Sequence, residues 1–116
     1  FIINASRFEN EFRLKKGADI REIIKETEYV ILNDKLKDRI RKIFLFGSAV
    51  ENKMTFRSDI DMAVLFDKIN KKEALLFRTR ISGEVNDKVD IQVFNNLPEK
   101  IKKSILKKHR VLYTNE

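Results

Sequence analysis

Two aspartates open an otherwise apolar stretch, Asp59-Ile60-Asp61-Met62-Ala63-Val64, and a third stands in another, Val89-Asp90-Ile91-Gln92-Val93-Phe94. Residues i and i+2 of a strand point to one face, which sets Asp59 and Asp61 together, roughly 6–7 Å apart at the backbone. Like charges so placed repel, and a divalent cation is the simplest partner that reconciles them. If the two strands are neighbours, ~4.8 Å apart, Asp90 faces the pair from the next row. Three carboxylates on one face then make a site for magnesium or manganese, of the kind that serves the attacking and leaving oxygens of phosphoryl transfer. Each acid also has a plain role: Asp59 in a cap or turn, Asp61 paired with a lysine, Asp90 exposed at a strand end. The three together, with a glycine turn upstream, favour the metal.

That turn is Phe46-Gly47-Ser48. A strand that ends in Gly-Ser and passes toward a helix offers backbone N–H groups and a hydroxyl to phosphate oxygens, and the absent side chain at Gly47 lets the backbone approach. Gly-Ser alone is a common turn. It is neither a Walker loop, which needs Gly-Lys-Ser/Thr, nor a dinucleotide fingerprint with three spaced glycines.

Elements must position these residues. After Gly17, Asp19 and Glu22 have capping-box spacing, and Ile20, Ile23, Ile24, Thr27, Ile31 and Leu36 follow at roughly helical spacing, which predicts a helix over 19–38. Ile43-Phe44-Leu45-Phe46 reads as a buried strand closed by Gly47, with a short helix over 48–52 and a polar connection over 52–58. The pattern continues as a strand over 60–66, a helix over 71–83 with Ala74, Leu75, Phe77 and Ile81 inward, and a strand over 89–94. Pro98 stands near the start of a last helix over 99–109, with Ile101, Ile105 and Leu106 apolar, and Val111-Leu112-Tyr113 can add an edge strand. Strands alternating with helices give an α/β (α+β) class: a small mixed sheet covered by helices, with both faces of the buried strands needing cover.

The 116 residues suit one domain, 1–116, in which 1–18 form an N-terminal extension that fits either a helix, by Phe8 and Phe12, or a strand, by Phe1-Ile2-Ile3. With no cysteine and a single histidine, His109, thiolate zinc and His-rich sites are excluded, so any metal sits on carboxylates. No apolar run approaches the ~20 residues needed to cross a bilayer and no signal pattern opens the chain, so a cytoplasmic protein without a membrane partner is expected. The net charge of +7 suits polyanions such as nucleic acid and nucleoside triphosphates, or equally a lysine-rich solvated surface.

Strand, Gly47-Ser48, a gap, Ser58-Asp59-Ile60-Asp61, then a strand with Asp90: this order resembles the nucleotidyltransferase superfamily of the DNA polymerase β type, from about Asp19 to Tyr113. The small size is similar to its minimal nucleotidyltransferase (MNT) branch. The resemblance implies a polymerase β palm-like fold and magnesium-dependent transfer of a nucleoside monophosphate, AMP from ATP, to a hydroxyl. It also implies that Gly47 and Ser48 bind the triphosphate, that Asp59 and Asp61 hold metal, and that Asp90 is the third carboxylate and activates the incoming hydroxyl. One departure is that Ala49-Val50-Glu51-Asn52 supplies no arginine, where many members of the branch carry Arg/Tyr-Ala-Arg-Gly; Lys53 or Arg57 could substitute.

The branch further implies a HEPN-domain toxin as partner, with one of its tyrosines as acceptor and this chain as antitoxin; a second copy of the chain could instead supply the acceptor surface. Phe1-Ile2-Ile3, Phe8 and Phe12 are the expected apolar contact. The competing functions are an antitoxin that neutralises by contact alone and a basic nucleic-acid binder using Lys100, Lys102, Lys103, Lys107 and Lys108. The three retained carboxylates favour the enzyme, since a vestigial site has no need of mutual repulsion. The lysines are expected to be a solvated face, His109 to serve the helix end, and the phenylalanines to be core.

Overall fold

A computed structural model of the chain describes residues 19–51 and 58–115. The N-terminal extension, with its apolar candidates, and the substitute bases Lys53 and Arg57 lie outside the described residues.

The first helix, α1 (Ile20–Leu32), starts where Asp19 Oδ1 accepts from the backbone N–H of Arg21 and Glu22, and it buries Ile23, Ile24, Thr27 and Ile31. It stops six residues before the expected end. The Asn33 side chain donates to the Tyr29 carbonyl at 2.7 Å, and Asp34 accepts from the Leu36 N–H at 3.0 Å. These local bonds compete with the helical ladder, so Leu36 reaches the core from a turn rather than from a helix face. Strand β1 (Ile40–Phe46) begins earlier than expected, because Ile40 is fully buried. It ends in a single 3-10 turn, Gly47–Ala49, in place of the short helix over 48–52.

Strand β2 (Ile60–Phe66) leads to helix α2 (Lys71–Ser82), and this to strand β3 (Val89–Val93). The start of α2 carries a reciprocal capping box, Asn70 with Glu73. Parallel neighbours require a crossover connection, and α2 supplies it: β2 and β3 pair in parallel while β1 pairs antiparallel with β2. A 3-10 turn at Phe94–Asn96 ends β3 one residue short of expectation, and helix α3 (Glu99–Lys107) follows with Pro98 as its N-cap. The expected edge strand forms as β4 (Arg110–Thr114), antiparallel to β1. The sheet is mixed, in the order β3-β2-β1-β4.

Both faces are covered, unequally. On one, α1 and α2 press Ile23, Ile24, Ile31, Ala74, Phe77 and Ile81 onto Ile43, Leu45, Met62, Val64 and Ile91. Phe66 and Phe77 meet edge to face at 5.0 Å, and truncating such a buried phenylalanine to alanine costs about 3–5 kcal/mol. The other face holds a smaller cluster, Phe44, Ala63, Phe94 and Ile105, brought together where α3 folds over the sheet. Of the residues expected inward or apolar, Leu75, Ile101 and Leu106 are exposed. No helix among the described residues is long and apolar enough to cross a membrane.

Candidate functional site

Antiparallel pairing sets the C-terminal end of β1 beside the start of β2, and the parallel crossover sets the start of β3 beside the same point. Phe46 is therefore the register partner of Asp61, and Asp61 in turn is the partner of Asp90. Strand parity puts Asp61, Ala63, Phe44, Phe46 and Asp90 on the face of the smaller cluster. That cluster covers Phe44 and Ala63, further along the strands, whereas Asp61 is half-buried and Asp90 exposed.

Asp59 stands at the start of the same segment as Asp61. It immediately precedes the first residue of β2 and is exposed. The three acids still interact: burial, then the charge of Asp90, then that of Asp59 push the Asp61 carboxyl above the usual range. Among the described residues, no three acidic or histidine side chains converge as a ready-made metal cage. The Asp90 oxygens accept from Gln92, whose Nε2 donates to them at 3.3 and 3.2 Å. The donor set nonetheless suits a hard divalent cation, being all carboxylate oxygen around a half-buried acid with two like-charged neighbours.

Gly47 adopts φ +73°, which L side chains rarely adopt, and a Cβ built there would collide with Asp61 Oδ2 and lie 3.3 Å from Asp61 Cγ. Glycine was expected so that phosphate could approach the backbone. The structure gives a nearer reason: the turn packs directly on the Asp61 carboxylate. Gly47-Ser48, Asp59, Asp61 and Asp90 thus come from three separate segments to one end of the sheet. Such an end, with polar backbone beside clustered carboxylates, is chemically able to hold a metal–triphosphate complex.

Gln92 was missed, although the i, i+2 rule that paired the acids puts it on the face of Asp90. The residues expected to serve structure take several positions. His109 Nδ1 lies 3.1 Å from the Ile105 carbonyl, with its ring edge-on to Phe44 at 5.1 Å. Lys100, Lys103, Lys107 and Lys108 are exposed, while Lys102 lies over the Phe94 ring at 5.8 Å. Phe44, Phe66, Phe77 and Phe94 are buried.

A family model for "Polymerase beta, Nucleotidyltransferase" matches residues 28–116. A Methanocaldococcus jannaschii protein provisionally described as a protein adenylyltransferase is 36% identical over 74 residues, 64% of this chain and 56% of the relative, so the chain spans little more than half that relative's length. A chain from a toxin–antitoxin crystal structure with AMP-PNP superposes with a TM-score of 0.62 at 18% identity, covering 78% of this chain and 73% of that one. A chain from the complex of tri-AMPylated Shewanella oneidensis HEPN toxin with MNT antitoxin gives 0.56 at 18% identity, covering 79% and 71%. At such identities these structures share the fold.

Proposed function

This chain belongs to the polymerase β nucleotidyltransferase family, and on that premise we propose that it transfers AMP from ATP to a hydroxyl acceptor, a tyrosine of a HEPN-type helical protein, and thereby acts as its antitoxin. The observation that carries the proposal is the meeting of Gly47, Asp61 and Asp90 at adjoining positions, with Asp59 close enough to act on Asp61. Magnesium or manganese held by Asp59, Asp61 and Asp90 would supply the positive charge that a triphosphate and its transition state require. Ser48 and the Gly47 backbone hold phosphate oxygens, fixing the α-phosphorus for attack.

Asp90, exposed on the next strand, takes the proton of the acceptor hydroxyl. The acceptor oxygen bonds to the α-phosphorus, the bond from that phosphorus to the bridging oxygen of the β-phosphate breaks, and pyrophosphate leaves. Positioning supplies most of the acceleration in such a reaction, because protein groups do little covalent chemistry in it. The adenylyltransferase description of the relative and the AMPylated toxin in the solved complex support AMP as the transferred group and a HEPN protein as acceptor.

The test incubates the chain with ATP, magnesium and a HEPN partner and reads the partner by mass spectrometry. Addition of AMP to a tyrosine, lost in Asp59→Asn/Asp61→Asn, is the expected result. An unmodified partner that this variant still inhibits would replace the enzyme with a contact-only antitoxin.

A further inference from the structure

Away from the acids, a cavity of about 260 Å³ runs between α2 and β3, the outer strand of the sheet. Its wall includes Gln92, the residue whose amide donates to the Asp90 carboxylate. Leu75 and Leu97 give it apolar sides, and Lys71 and Arg78 give it charge. Its lining contains two cations and no carboxylate. Leu75 is 62% exposed, a large apolar side chain left in water at the rim. Arg78 Nε donates to the Ile91 carbonyl on the outer strand at 3.0 Å; a guanidinium has five N–H donors and this contact uses one.

We propose that this groove seats the acceptor polypeptide, and that Lys71 and Arg78 select a segment whose acceptor residue is flanked by acidic side chains. The inference deepens the transferase function above and rests on it. The groove is smaller than the ~300–1,000 Å³ of sites that engulf a whole small molecule. That size suits one side chain and a length of backbone. Apolar walls accept an aromatic ring, the two cations attract neighbouring carboxylates, and Gln92, which also donates to Asp90, links the lining of the groove to the acid that takes the proton. The opposite charge arrangement, a basic segment, would set like charges together at Lys71 and Arg78 and weaken binding.

The test uses two synthetic peptides, one with a tyrosine between glutamates and one with a tyrosine between lysines, and measures binding by fluorescence anisotropy without nucleotide. The double variant is Lys71→Glu/Arg78→Gln. Glutamate at the first position of α2 complements the helix dipole, and glutamine retains an N–H donor for the Ile91 carbonyl, so the fold is kept. Wild type should bind the acidic peptide at least about tenfold more tightly than the basic one, and the variant should lose that preference. Equal binding of the two peptides by wild type, binding of neither, or an undiminished preference in the variant would overturn the proposal. ATP affinity with magnesium, measured on the same proteins, separates the two readings. A wild type that discriminates the peptides but binds no ATP removes the transferase and leaves the groove standing.

Discussion

Alanine at Gly47 should destabilise the protein for two separable reasons. The backbone sits at φ +73°, and an L residue held in that left-handed region costs roughly 1–2 kcal/mol. The added Cβ also collides with Asp61 Oδ2 and presses on Cγ at 3.3 Å, so the carboxylate must leave its rotamer, at about 0.5–1.5 kcal/mol. The sum is about 1.5–3.5 kcal/mol. Asp61→Ala removes both offending atoms and leaves the Asp61 Cβ at 3.5 Å, an ordinary van der Waals contact. Urea unfolding of wild type, both single variants and the double variant forms a cycle in which the collision appears as coupling. Gly47→Ala should cost about 1.5–3.5 kcal/mol with Asp61 present and only the backbone part, about 1–2 kcal/mol, without it. An identical cost in both backgrounds would mean that the turn does not pack on the carboxylate, and the geometry underlying the candidate site would fail with it.

Asp61→Asn removes a charge that burial, Asp90 and Asp59 all disfavour, so stability without metal at neutral pH should hold or rise while magnesium affinity falls; unfolding with intact metal affinity would make the carboxylate structural. Ser48→Ala should weaken ATP binding by the ~1–2 kcal/mol of one hydrogen bond to a charged acceptor, read by calorimetry with magnesium present. Asp34 receives two 2.8 Å bonds from Arg80, joining the end of α1 to α2; burial would raise its carboxyl, but the Arg80 and Leu36 hydrogen bonds and the charges of Arg80 and Lys35 outweigh it and hold it below the usual range. Its stabilisation is therefore complete above the unfolded value of about 3.9 and is lost as pH falls through the lower folded value. The stability gap between wild type and Asp34→Asn should accordingly close in acid; a gap that persists or widens there would show that the pairing does not set it.

Local signals determined much of this protein. The apolar runs at 43–46, 60–66 and 89–94 are strands because they are short, continuous and bounded by turn residues, and the acids within them stand out because buried strands exclude charge. The match of a polymerase β family model to residues 28–116 agrees with the Gly-Ser and Asp-x-Asp order from which the family was inferred. Helix ends were less legible. Asn33 and Asp34 stop α1 through side-chain bonds whose competition with the helix cannot be weighed from apolar spacing, and the capping box of Asn70 and Glu73 at the start of α2 was not read from the sequence.

Only tertiary structure decided what lies against what. Whether Asp90 faces Asp61 depends on β2 and β3 being parallel neighbours in register, a relation created by the α2 crossover and fixed by packing on both sheet faces. The reason for Gly47 is likewise tertiary, since the atoms that forbid a Cβ belong to Asp61, fourteen positions along the chain. The groove beside Gln92 has no sequence signature, because its walls come from α2, β3 and the turn after it, and a cavity between elements exists only once they pack.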